Sequence, residues 1–151
     1  MVNVGEKPLT LRTAVAKARV TMQAETRRAI EDHRMHKGDV FAVAELAGIM
    51  GAKHTSQLIP LCHQVPLTQV AVTCAWLQTE HSEGACVEIS ATVTADYRTG
   101  VEMEALTACT IAGLTIYDMC KARDRGMTIE GVHLVYKSGG KSGVYEAAHK
   151  D

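Results

Sequence analysis

The stretch ACVEISATVTAD, Ala85 to Asp96, alternates without a slip. Val87, Ile89, Ala91, Val93 and Ala95 fall on one side of an extended chain, and Glu88, Ser90, Thr92 and Thr94 on the other. A period of two over this length describes a strand with one face in a core and the other in water. The segment before it behaves the same way, with Val70, Val72, Cys74 and Trp76 at every second position. The polar TEHSEG, Thr79 to Gly84, separates the two runs, so the pair reads as an antiparallel hairpin.

Outward from the hairpin, the chain supplies two strands and three helices. Residues 14–22, AVAKARVTM, lean toward a strand, and 23–33, QAETRRAIEDH, toward a short charged helix. Gly38 breaks that helix and Asp39 is placed to cap a second, VFAVAELAGIMGA. After the turn YRTG comes the longest helical segment, residues 101–122, whose flanks carry Ala105, Ala108, Ala112 and Gly113. So many small residues predict a closely packed neighbour. Residues 127–137, MTIEGVHLVYK, alternate as a final strand. The order β-α-β-β-α-β, with an extra helix in the first crossover, is that of an α+β, ferredoxin-like domain. It predicts an antiparallel sheet with helices packed on one face. Residues 1–151 read as a single domain, and the last ~10 residues read as flexible.

Hydrophobic residues make up 46% of the chain and charged residues 22%, but there is only one Phe and one Trp, so the core must come from Val, Ile, Leu, Met and Ala. A net charge of -1 gives no global attraction to nucleic acid or to an anionic membrane. Glu6 and Lys7 interrupt any signal-peptide core, and no apolar run approaches the roughly 20 residues of a membrane span. Cysteines at 62, 74, 86, 109 and 120 are odd in number and form no CxxC, which suits reduced thiols in a cytoplasmic protein.

Four constellations could carry chemistry. In QLIPLCHQVPL, Gln57 to Leu67, Cys62 and His63 sit between Pro60 and Pro66. Adjacent side chains on an extended chain point apart, so the two are poorly placed to act as a nucleophile and its base. A half-buried structural histidine and a ligand-contacting one both fit His63. A zinc corner lacks a second Cys/His pair at ligand spacing, for His63 as for His33 and His36. GVEMEALT places Glu102 and Glu104 at a helix start, where they either complement the helix dipole or accept bonds from a ligand. YDMCKA sets Asp118 and Lys121 at i and i+3, either a surface ion pair or a lysine tuned for proton transfer, and the apolar Ile116, Tyr117 and Met119 around them favour partial burial. KSGGKSG joins Lys137 and Lys141 through flexible glycines but lacks the Walker spacing. Lys37, Lys53 and Arg98 fall at further chain breaks, and a pocket gathering these cations would suit a polyphosphate.

One helix over 101–122 separates Glu104 from Asp118 by roughly 21 Å at ~1.5 Å per residue. A small ligand cannot touch both in one subunit. Together with the small residues on the helix flanks, this predicts an active site shared between subunits of a homo-oligomer.

HKGDVF, LIPLCH, GVEMEALTA, LTIYDMCKA and KSGGKSG, in this order, resemble the MoaC family of molybdenum cofactor biosynthesis. The opening MVNVGEKPLTLRTAVAKARVTM is similar to that family's first strand region, and the likeness covers about residues 2–143. The resemblance implies a lyase acting on a small molecule, a 3′,8-cyclised dihydroguanosine triphosphate, which it rearranges to a pyranopterin with a cyclic phosphate, releasing pyrophosphate. It implies a ferredoxin-like fold and a hexamer built as a trimer of dimers with interfacial sites. No cofactor or metal site is implied, beyond Mg²⁺ that could accompany the triphosphate. By motif, Asp118, Lys121 and Lys37 are the catalytic residues. Leu61, Cys62, His63, Glu102, Met103 and Glu104 line the substrate, and Lys53, Arg98, Lys137 and Lys141 meet mainly its phosphates. Two positions depart from the family pattern: Gln64 follows His63 where proline is common, and Asn3 stands where an acidic residue is common. Two other functions fit the same fold: a nucleotide- or pterin-binding module without catalysis, and an RNA-binding sheet that would have to stack bases on Trp76 and Tyr136.

Overall fold

The computed structural model describes residues 1–78 and 84–148. The strands are β1 (Thr10–Gln23), β2 (Gln69–Leu77), β3 (Gly84–Tyr97), β4 (Thr128–Ser138) and β5 (Tyr145–Glu146). They form one sheet in the order β2-β3-β1-β4-β5, and every neighbouring pair is antiparallel. The first crossover holds α1 (Ala24–Glu31), α2 (Val40–Lys53) and the single turn α3 (Thr55–Leu58), and the second holds α4 (Glu102–Cys120). This is the α+β, ferredoxin-like arrangement that the order of patterns predicts.

The alternation in Ala85–Asp96 sets the register of the whole sheet. Ala91 pairs with Val72 on one side and Ala16 on the other, and Ile89 with Cys74 and Ala18. Side chains of one phase therefore form rows across three strands, and Ala16, Ala18, Val87, Ile89, Ala91 and Val93 are all essentially without exposure. Of the turn expected at TEHSEG, Thr79 to Glu83 lie outside the described residues.

Small residues let α4 approach the sheet closely. The Cys109 thiol donates to the carbonyl of Ala16 at 3.3 Å, so helix and strand meet almost backbone to backbone. A methyl added at Gly113 would come within 3.0 Å of the Ile129 side chain. On the other flank, α2 packs against α4 where Gly48 faces the Ala108 carbonyl, with room for no side chain beyond about a methyl. The closely packed neighbours predicted for Ala105, Ala108, Ala112 and Gly113 are thus this chain's own sheet and α2. These residues are buried within the subunit and give no support to a shared site.

Three local features differ from the sequence reading. β1 begins at Thr10, before the alternation that starts at Ala14, and Arg12 takes an inward position of the strand where a charge interrupts the apolar pattern. β4 does not alternate regularly: its pairing with β1 shifts register between Val15 and Ala16 and again between Lys17 and Arg19, the second shift flanking Gly131 with φ of +61°. In the tail, Tyr145 and Glu146 pair with Lys137 and Tyr136, adding a fifth strand.

Candidate active site

α4 presents functional side chains at both ends. At its C-terminal end, the Asp118 carboxylate is held from two sides. Lys121, the capping residue, reaches Oδ1 at 2.7 Å. Lys37 reaches Oδ2 at 2.5 Å and donates to the Asp118 carbonyl at 3.2 Å. Lys37 comes from the loop between α1 and α2. Met35 buries itself to anchor that loop, Gly38 turns it at φ +94°, and the Asp39 carboxylate then accepts from the amides of Phe41 and Ala42 to start α2. Hydrogen bonds from Lys121 and then Lys37 hold the Asp118 carboxyl down at about 2. The same contact with Asp118 pushes the Lys121 ammonium up from its ordinary value. Lys121 is therefore held in its charged form and can give a proton before it can take one. Although Ile116 and Met119 are buried, Asp118 and Lys121 are not: their side chains are 53% and 54% exposed. The partial burial expected from the apolar residues around them fails because helix rotation turns positions 118 and 121 outward.

The N-terminal end is more enclosed. Glu104 is 4% exposed, and burial pushes its carboxyl up, opposed by its own backbone N–H and reinforced by Glu102. Burial, and then the charge of Glu104, push the Cys62 thiol up as well, which makes it a poor nucleophile. Leu61 and Met103 are exposed next to them in sequence. His63 donates from Nε2 to the Val2 carbonyl at 2.8 Å. Glu102 pairs with Lys137 at 3.4 Å, and Lys137 also donates to the Ser142 hydroxyl at 2.5 Å. KSGGKSG thus folds back onto the helix start and does not hang free, although Lys141 within it is exposed.

Arg12 joins this end and was not singled out in the sequence. It is 8% exposed, and its guanidinium donates to the carbonyls of Tyr97 and Arg98 at 3.1 and 3.3 Å. Gly139 and Gly140 lie against it so closely that a Cβ at Gly140 would overlap its guanidinium. The available signal was a charged residue in the inward phase of an otherwise alanine-rich strand. Arg98 is half-buried, with its carbonyl fixed by Arg12. Lys53 belongs to neither set of contacts; it lines a cleft of about 360 Å³ with Ile49, Val65 and Leu67 to Val70.

Among the described residues, no group of three or more His, Cys, Asp or Glu side chains is placed to hold a metal ion. No described helix is long and apolar enough to cross a membrane. Trp76 is engaged inside the chain, 5.1 Å from the Phe41 ring and under the Arg27 guanidinium at 4.9 Å, which removes one of the two aromatics an RNA-binding sheet would need.

Lys37 and Lys121 thus gather at one end of α4, and Lys137 and Arg12 at the other. The profile of the MoaC family matches residues 1–140. Cyclic pyranopterin monophosphate synthase of Thermomicrobium roseum is 53% identical over 96% of this chain and 85% of its own length. The protein of that name from Cereibacter sphaeroides is 53% identical over 98% of the chain and 91% of its own length, and that from Chloroflexus aurantiacus 52% over 97% and 87%. The chain belongs to the MoaC family.

Proposed function

We propose that this protein is a cyclic pyranopterin monophosphate synthase, converting (8S)-3′,8-cyclo-7,8-dihydroguanosine 5′-triphosphate to cyclic pyranopterin monophosphate and diphosphate in molybdenum cofactor biosynthesis. Lys37 and Lys121, each paired with Asp118 from its own side, carry the reading. Opening and reclosing a purine ring needs donors and acceptors of protons at fixed positions, and two ammonium groups sharing one carboxylate supply both. A module that only binds a nucleotide has no use for that arrangement. At the other end of α4, Glu104 and Glu102 accept from N–H groups of the ring system. Lys137, Arg98, Lys141 and Arg12 neutralise the triphosphate and the charge on the departing pyrophosphate, and Lys53 approaches it from its own cleft. Leu61, Cys62, His63 and Met103 shape the pocket. The reaction needs no cofactor resident on the chain; Mg²⁺, where it takes part, arrives with the triphosphate.

The two ends act in one site only if they come from different subunits, because about 21 Å of helix separates Glu104 from Asp118. The enzyme is therefore a homo-oligomer, a hexamer of the trimer-of-dimers kind, with each site completed by a neighbour. The exposed stripe Val43, Leu46 and Met50 on α2 gives such an assembly an apolar surface to cover. Incubation with the cyclised triphosphate tests the function: pyrophosphate and the pterin product appear in equal amounts. Tight binding with neither product formed would leave the binding module as the better description.

A further inference from the structure

His63 sits in a loop with no helix or strand to orient it, between Pro60 and Pro66. What holds its ring is the other end of the chain. The Val2 carbonyl lies 2.8 Å from Nε2. A carbonyl oxygen can only accept, so Nε2 must carry the proton. In a neutral imidazole that leaves Nδ1 as a lone-pair acceptor, because the hydrogen bond made by one ring nitrogen decides what the other can do.

The carbonyl is itself delivered by a folded segment. The Asn3 side chain accepts from the Gly5 amide at 2.8 Å, and the Lys7 amide donates to the Val4 carbonyl at 3.1 Å. These two bonds make a compact turn of residues 3–7, of the kind in which an Asn side chain stands in for a backbone carbonyl. Met1, Val2 and Asn3 are otherwise exposed, so no core contact accounts for the placement of Val2.

We infer that residues 2–7 form a strap that fixes His63 as the Nε2–H tautomer and presents Nδ1 to the substrate as a hydrogen-bond acceptor, with Asn3 as the positioning residue that shapes the strap. The inference rests on the proposed function for the identity of the ligand, an N–H or O–H donor of the cyclised nucleotide, but the tautomer itself does not depend on it. His63 in this role reads a donor group that a hydrophobic wall would leave unpaired. Its neighbour Cys62 contributes shape.

The test uses the full chain with its histidine rings labelled in nitrogen-15, observed by long-range proton–nitrogen correlation at alkaline pH on neutral rings. His63 is expected as Nε2–H in the wild type. Asn3→Ala removes the bond to Gly5, and the His63 signals shift toward a mixture with Nδ1–H. Asn3→Asp keeps an acceptor at the same place and restores the wild-type pattern. With substrate, Asn3→Ala lowers kcat/KM by roughly tenfold, the scale on which outer partners of a ligand-holding imidazole are felt, and Asn3→Asp recovers it. An Nδ1–H ring in the wild type, or an Asn3→Ala spectrum unchanged from it, overturns the strap. A protein that shows the tautomer shift and yet makes no product retains the strap and loses the proposed function.

Discussion

The two ends of α4 have opposite characters although they belong to one helix. The start is enclosed: Glu104 is buried and raised, and Arg12 and the Gly139–Gly140 turn close over the helix start, where Lys137 pairs with Glu102. The finish is open: Asp118, Lys37 and Lys121 are each about half exposed and hold one another in water. Exposed ion pairs contribute little to stability, typically under ~1 kcal/mol, so the open end is not there for the fold. The enclosed end has the means to select a ligand, and the open end has the protons. On the proposed function, the proton donors stand in solvent a helix length from the recognition groups, and a neighbouring subunit completes the site.

The largest effect should come from the open end. Lys121→Ala or Asp118→Ala is expected to lower kcat about a thousandfold or more, within the range of lost acid–base groups, with circular dichroism and oligomer size unchanged. Near-normal turnover in either variant would remove the functional contrast between the ends. Next, mixing inactive Asp118→Ala with inactive Glu104→Gln subunits is expected to restore activity at about a quarter of the sites, as two-fold interfaces require when each site takes one end from each partner. A mixture as dead as its components would overturn the shared site, since both ends would then have to come from one subunit.

A smaller effect is expected at the enclosed end. Gly140→Ala meets both a φ of +78° and the Arg12 guanidinium. It should cost about 1–2 kcal/mol in thermal unfolding and raise KM some tenfold with kcat nearly held, the pattern of lost ground-state binding. At the open end, the Asp118 carboxyl lies at about 2 against an ordinary 3.8. A lowered carboxyl stabilises the fold fully above 3.8 and loses that contribution as pH falls through about 2. Lys121→Met should move the midpoint upward further than Lys37→Met does, because Lys121 is the larger cause; a carbon-detected titration of the carboxyl reads it. The smallest change belongs to Cys62→Ser, expected to stay within about twofold of wild type in kcat/KM because a thiol pushed up by burial is a poor nucleophile.

The fold was legible where a local period reports a buried face. The alternation in Ala85–Asp96 and Val70–Trp76 placed two strands and their pairing, and Asp39 marked the start of α2 from its side-chain chemistry alone. The bulges of β4 and the pairing of β5 were not legible, because both depend on what β1 and β4 offer across the sheet. The site divides the same way. Asp118 and Lys121 were visible as an i, i+3 pair. Lys37 could be seen in sequence only as one cation among several, and its contact with Asp118 spans 81 residues. Arg12 gave a local signal, a charge in a core phase, which is weak when read alone. The bond from Val2 to His63 gave none, since a backbone carbonyl carries no residue type.

The contact of Cys109 with the Ala16 carbonyl has a use outside function. Burial holds this thiol up at about 12, so at neutral pH it is almost wholly protonated and out of reach of any alkylating reagent. It can react only when α4 lifts away from β1, and that motion dismantles the core. The rate at which Cys109 is labelled is therefore a clock for global opening of the native protein, built into the chain without any added probe.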